Sequence, residues 1–323
     1  MKAGCSVAVA LLVVVGGCAA PQAKPSASAA KGHHAAATAP RKNRWTEAAR
    51  RAAADALGAD LLAHIDKLEQ GHIELGVTVM PMTNAKHFES MVHRFEARIG
   101  TSKRLKVSDE GFNVVVYGEH FDLGRSACAA AAAAVAAAGK PAHHALVYRA
   151  VEIHSEELLW IGIHPSPAPA SAARALPSSL THLCAAGLQR IAADFGATLV
   201  KALAAHPSPL VIKLKDAIDV TGHEVPVALV SALVERQLYR RFGRKGPHIL
   251  LAGGDGHLMA RSARRRAALD PQRGKPADRL EANALLSGRL KPLGASKGFE
   301  LQLSLVHTIN QRTLWKRSAT FTK

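Results

Sequence analysis

A chain of 323 residues is long enough for two ordinary domains. Its formal net charge of +17 is not evenly spread. Residues 236–323 hold 19 Lys/Arg against 5 Asp/Glu, a net of +14, and the rest of the chain nets only +3. The balance excludes a uniformly basic molecule and places a field attractive to polyanions at one end.

The N-terminus reads as an export signal. Lys2 supplies a small positive charge, and Ser6–Val15 is a short apolar run. That run falls well below the roughly 18–20 residues a spanning helix needs. Small residues follow, as in a cleavable signal over residues 1–17. Val15-Gly16-Gly17-Cys18 resembles a bacterial lipobox, in which small side chains fit the peptidase and the thiol of Cys18 accepts the lipid. Ala19 lacks the Asp associated with inner-membrane retention, which implies a lipid anchor in the outer membrane facing the periplasm. The competing reading is an ordinary secretory signal with an incidental Cys18. Export makes nucleic acid an implausible target and leaves acidic proteins, phospholipid headgroups and anionic wall polymers. The other two cysteines outside the signal, Cys128 and Cys184, form a disulfide in that compartment or stay apart as small buried hydrophobes.

After the anchor, Ala19–Arg44 is Ala, Pro, Ser and Lys with almost no large apolar side chain. Such a segment buries too little to offset chain entropy, so residues 18–44 read as the lipidated cysteine and a flexible tether. As a coil it spans about 30 Å.

Residues 45–164 read as a first α/β domain. An Ala-rich helix (Trp45–His64) precedes an apolar strand (Ile73–Met82), a polar turn at Thr83-Asn84-Ala85 and an amphipathic helix (His87–Ile99) with Phe88, Met91, Phe95 and Ile99 at near-helical spacing. Ser126–Gly139 is nearly pure Ala, the best helix former, with Gly139 suited to a C-terminal cap. A hairpin over Leu146–Ile163 closes the domain. Residues 165–180, rich in Pro and Ala, read as a stiff linker.

Residues 181–323 repeat the pattern. A helix over Leu183–Ala204 carries Asp194–Val200 (DFGATLV), comparable with Ala56–Leu62 (ALGADLL) in the first half. A strand (Leu210–Leu214), a turn (Asp219–Gly222) and a helix (Val227–Phe242) follow. In the final hairpin, Phe299–Phe321, Phe299, Leu301, Leu303 and Leu305 alternate with polar residues, the mark of a strand with one buried face. Aligning Trp160 with Trp315 also aligns Leu159 with Leu314 and Ser155-Glu156-Glu157 with Asn310-Gln311-Arg312. The fold expected is α/β: two tandem small mixed-sheet domains, each ending in a β-hairpin.

Catalytic motifs are missing from the sequence. There is no H-E-x-x-H, G-x-S-x-G, Walker P-loop or S-x-x-K with its partners. The 17 histidines are scattered, and neither His33-His34 nor His143-His144 has a carboxylate or Cys at ligand spacing, so no metal or cofactor is expected. Gly253-Gly254-Asp255-Gly256 reads as a turn between a strand and a helix that Asp255 caps.

The second half also resembles the domain of LpoB-type penicillin-binding-protein activators. The resemblance rests on Pro209–Leu214, on Ile218–Pro226 with Leu229–Leu233, on Ala282–Leu290 (ANALLSGRL) and on the hairpin Phe299–Lys323. Asp219 stands where that family has Asn, and an early Gly of its middle strand is missing. A related core occurs in CsgG-type lipoproteins and TolB-like N-terminal domains. The resemblance implies a non-enzymatic, outer-membrane-anchored regulator of a bifunctional peptidoglycan synthase. The alternatives are an assembly component of a secretion complex, a cell-wall hydrolase lacking a visible nucleophile or metal set, and a structural lipoprotein on anionic wall polymer. For partner binding, the residues singled out are the basic cluster Arg240, Arg241, Arg244, Arg261, Arg264, Arg265 and Arg266.

Overall fold

The computed structural model describes residues 46–67, 75–80, 89–108, 112–122, 144–164, 185–219, 227–243, 246–253, 259–260, 262, 280–293 and 298–322. They belong to one compact unit, residues 43–323. The signal, Cys18, the tether, the Ala-rich segment with Cys128, and the Pro-rich segment with Cys184 lie outside the described residues.

The chain runs α1 (Glu47–Lys67), β1 (Leu75–Val79), α2 (Glu89–Ile99), β2 (Leu105–Val107), β3 (Val114–Asp122), β4 (His144–Glu152), β5 (Leu158–His164). It then continues with α3 (Ala185–Ala204), β6 (Val211–Asp219), α4 (Val227–Phe242), β7 (Ile249–Leu251), β8 (Ala284–Leu293), β9 (Gly298–His307) and β10 (Thr313–Thr322). The sheets are ordered β2-β1-β3-β4-β5 and β7-β6-β8-β9-β10, so each position in one has its counterpart in the other. In both, the first three strands are parallel and the last three antiparallel.

The repeat extends to the register. Val77 pairs with Val114 as Ile212 pairs with Ala284. Gly118 pairs with Tyr148 as Gly288 pairs with Leu303. Each terminal hairpin shifts register at the same place. Val151 faces Leu158 and Ala150 faces Trp160, while Val306 faces Thr313 and Leu305 faces Trp315. Leu159 and Leu314 are thus the extra residues of two equivalent bulges. The turns match as well: Glu156 and Gln311 are the only non-glycine residues with positive φ among those described, at 64° and 56°. The hairpin alignment read from Trp160 and Trp315 therefore holds residue for residue in the ladder.

Helix contacts follow the same plan. Gly58 and Gly196 each lie where their helix meets its partner. A Cβ on Gly58 would stand 2.7 Å from Arg98 Cγ, and one on Gly196 would stand 2.1 Å from Gln237 Oε1. α2 buries Met91, Phe95 and Ile99 of the expected stripe, with Val92 beside them, and Phe88 lies outside the described residues. Trp160 lies across Gly162, whose missing side chain leaves room for the indole; a Cβ there would come within 2.3 Å of the ring. The indole Nε1 donates to Asp60 on α1 at 3.2 Å. Its counterpart Trp315 is only half-buried and meets Phe195 edge-on at 6.2 Å between centroids.

α4 differs from the other helices. Residues around its whole circumference are buried, from Val227 through Leu229, Val230, Ala232, Leu233, Val234 and Leu238 to Phe242. Ser231, Glu235 and Arg236 are buried with them, so the helix is enclosed on nearly every side until its last turn. α4 packs on β6 and β8 of its own sheet and on β5 of the first. One core cluster accordingly joins Val115, Val147, Val151, Ile161 and Ile163 of the first sheet to α3, α4 and the inner face of the second. A smaller cluster packs the other face of the first sheet on α1 and α2. The order of layers is α1/α2, first sheet, α3/α4, second sheet.

Candidate functional site

Two polar features stand out, one inside the molecule and one on its surface. Inside, the stretch Ala145–Val151 of β4 (ALVYRAV) is an apolar run broken by one charge, Arg149. Its side chain is fully buried and donates to Glu119 on β3 at 2.8 Å and to Glu235 on α4 at 2.9 Å. The guanidinium carbon stands 5.9 Å from the Tyr117 ring centroid. Tyr117 donates its hydroxyl to Gly253 O at 3.0 Å, just past β7. Burial pushes the Glu235 carboxyl above its ordinary range, Arg149 opposes that shift, and Glu119 adds to it. Charges taken out of water require this degree of mutual pairing. The cluster ties the first sheet to the second half and has no opening to solvent at Arg149, so its role is structural.

The same seam is closed at the β4–β5 turn. Glu156, nearly fully buried, accepts from Ala252 N at 3.0 Å through its carbonyl, and its carboxylate stands 3.7 Å from Lys213 Nζ on β6. Glu157 forms an antiparallel bridge with Leu251. The first half's hairpin turn is thus seated on β7, the outer strand of the second sheet.

The surface feature is the outer face of the second sheet. Its inner face, with Leu301, Leu303 and Leu305, meets the helices. On the outer face, Arg289 on β8 lies opposite Ile218 on β6 and Gln302 on β9, and Gln302 lies opposite Ser318 on β10. One row along, Ser287, Ser304 and Lys316 are in register, with Lys215 exposed in the β6 bulge beside them. The bulge has its own cause: Ala217 N donates to the buried Ser231 hydroxyl of α4 at 2.8 Å. Beyond lie Lys291 and Glu300, paired at 2.9 Å. Lysines 291 and 316 and Ser318 hold the Glu300 carboxyl below its ordinary range, with the Lys291 hydrogen bond the largest cause. Strand spacing makes this face about 14 Å across and about 20 Å long. Ile218 is 60% exposed.

Of the basic cluster singled out in the sequence, Arg240 and Arg241 are exposed in the last turn of α4, where cations suit the helix dipole. Arg236, one turn earlier, is buried, and burial with the neighbouring Arg240 lowers its guanidinium to about 10, Asp60 opposing. Arg244, Arg261, Arg264, Arg265 and Arg266 lie outside the described residues, as do Cys18, Cys128 and Cys184. Lys215, Arg289 and Lys316 escape a motif search because three distant strands bring them together. Comparison of the repeats finds them: at aligned positions Ile161 becomes Lys316 and Glu119 becomes Arg289. Among the described residues there is no group of three His, Cys, Asp or Glu suited to a metal ion, and no helix long and apolar enough to cross a membrane.

No protein family matches the chain, and no curated protein does. Among solved structures, it is similar to the LpoB C-terminal domain from Escherichia coli at 14% identity and a TM-score of 0.26, covering 40% of this chain and 95% of that one. The corresponding figures for the LpoB C-terminal domain from Salmonella enterica are 12%, 0.23, 40% and 95%. Likeness at this level is too slight to define a family.

Proposed function

We propose that this chain is a lipid-anchored envelope protein without catalytic activity of its own, which binds and regulates another envelope protein. The candidate partner is a bifunctional peptidoglycan synthase. The anchor reading rests on Val15–Cys18, and the partner on the resemblance of Pro209–Leu233 and Ala282–Leu290 to LpoB-type activators. The observation that carries a binding role is the outer face of the second sheet. Its counterpart in the first sheet is buried, apolar around the Arg149–Glu119 pair, whereas here the face is polar and basic, with Lys215, Ile218, Arg289, Lys316 and Ser318 exposed and Ser287, Gln302 and Ser304 half-buried. A regulator of this kind raises activity by binding the active state of its target more tightly than the inactive one. The test is glycan polymerisation by the same organism's synthase, with and without the chain from Ala19 onward. A rate that rises and saturates with added protein is expected. Neither binding nor a change in rate sinks the synthase reading.

A second reading is favoured by one observation, the net +14 of residues 236–323. A structural lipoprotein holding anionic wall polymer would show salt-sensitive retention on purified sacculi, with no effect on the synthase.

A further inference from the structure

We infer that the outer face of the second sheet is a docking surface for an acidic patch on a folded protein, centred on Arg289 and Ile218. The inference deepens the proposed function: it rests on the chain being a partner-binding protein, and not on that partner being the synthase.

In the first half, the equivalent face is where another layer docks. Tyr117, Val147, Arg149, Ile161 and Ile163 are buried there against α4. At the same register positions the second half has Ser287, Gln302, Ser304, Lys316 and Ser318, and Arg289 replaces Glu119. The backbone that presents a docking face is kept, and its chemistry is changed from an apolar surround of one buried ion pair to a basic, polar surface. Were this face only a solvent cap, polar residues of mixed sign would serve. The charge is instead predominantly basic: among the described residues no ion pair engages Lys215, Arg289 or Lys316, and Glu300, which Lys316 also attracts, is paired with Lys291.

The arrangement of those charges selects the class of partner. An anionic polymer tracks a row of cations. Here the cations stand apart on three strands, with Ser287, Ser304 and Gln302 between them and exposed Ile218 beside Arg289. An apolar anchor and neutral hydrogen-bonding groups ringed by charge is the anatomy of a protein–protein contact. The face is smaller than the roughly 800 Å² per partner of a standard interface, so contact confined to it is transient and salt-sensitive.

The test uses the full-length lipidated chain in its own cells. A photo-reactive benzoylphenylalanine replaces Ser304 at the centre of the face or, as a control, exposed Ala97 on α2. A protein adduct at 304 and not at 97 is expected, reduced at least about tenfold when Lys215→Glu, Arg289→Glu and Lys316→Glu are combined, and unaffected by Arg240→Glu with Arg241→Glu. All five substituted positions are exposed, and an unchanged melting temperature confirms that each variant folds. If the adduct contains the synthase, both readings stand. If it contains another protein and is lost on charge reversal, the docking face stands and the synthase reading falls. An adduct with glycan alone, no adduct, or an adduct indifferent to charge reversal overturns the docking face. Polymerisation stimulated by the chain in that last case would leave the proposed function intact and move its site elsewhere.

Discussion

The outer faces of the two sheets share strand order, register, bulge and turn, yet one is the centre of the molecule and the other its surface. Where β4 and β5 place Val147, Ile161 and Ile163, β9 and β10 place Gln302, Lys316 and Ser318. The backbone repeat sets which positions share a face, and side-chain chemistry then decides whether that face is filled or left open. The opposite end shows the same logic. α4, between the sheets, is buried on nearly every side until its last turn, while α2 exposes Glu89, His93 and Arg94. Two stacked repeats with polar outer surfaces form a closed pair, as terminal repeats do in longer arrays.

The sharpest way to break this comparison is to exchange equivalent residues. Ile161→Lys places a charge against α4 in the apolar seam and is expected to cost about 4–5 kcal/mol, enough to unfold much of the population at 37 °C. The reciprocal Lys316→Ile should change stability by less than about 0.5 kcal/mol, because its site is exposed. Urea titration of both variants measures the difference, and similar costs would mean the two faces are not distinct.

Next in size is Arg149→Met. It leaves Glu119 and Glu235 facing a thioether in the interior and should cost about 3–4 kcal/mol, with the halves still unfolding in a single transition. Two resolved transitions would show that the seam does not couple them.

A pH dependence follows from the same cluster. With its folded pKa raised by burial, Glu235 keeps a proton that the unfolded chain has already released. Its contribution is therefore complete below the ordinary carboxylate pKa and is lost as pH rises through the folded value. Glu235→Gln should remove that component, giving a urea midpoint that falls less over the acid-to-neutral range than the parent's. An unchanged profile would assign the pH dependence to other groups.

The smallest effect compares the paired tryptophans. Trp160→Phe loses the hydrogen bond to Asp60 and part of a buried ring, for about 1–2 kcal/mol. Trp315→Phe, half-buried, should cost less. Thermal melts of the two variants would expose an error in the burial contrast if their order were reversed.

Much of this was legible before any coordinates. The Val227–Phe242 helix and the two hairpins follow from periodicity, and Trp160 with Trp315 aligns the bulges. The Gly58 and Gly196 segments matched because both helices need the same close approach. β3 did not announce itself: Val114, Val115 and Val116 are all buried, so the strand lacks the alternation that marks a half-exposed one. β2 has only three residues, too few for a period. The strand expected to end at Leu214 runs on to Asp219 because a bulge anchored by Ser231 carries it past Lys215. The pairing of Arg149 with Glu235 joins residues far apart in sequence. The forewarning was Arg149 alone within the apolar run Ala145–Val151, a charge that demands a buried partner. The basic outer face was hidden for the same reason, since proximity in sequence favoured the arginine clusters over residues dispersed on three strands.

The contrast between the two faces is tested most directly by thiol labelling at one aligned pair. Val147→Cys and Gln302→Cys are prepared in the chain from Ala19 onward, with Cys128 and Cys184 changed to Ser, and alkylation is followed under native conditions. The thiol at 302, half-buried on the outer face, is expected to react within about tenfold of the unfolded chain. The thiol at 147 should react at least about a thousandfold more slowly, limited by opening of the seam. Comparable rates at the two positions would contradict it.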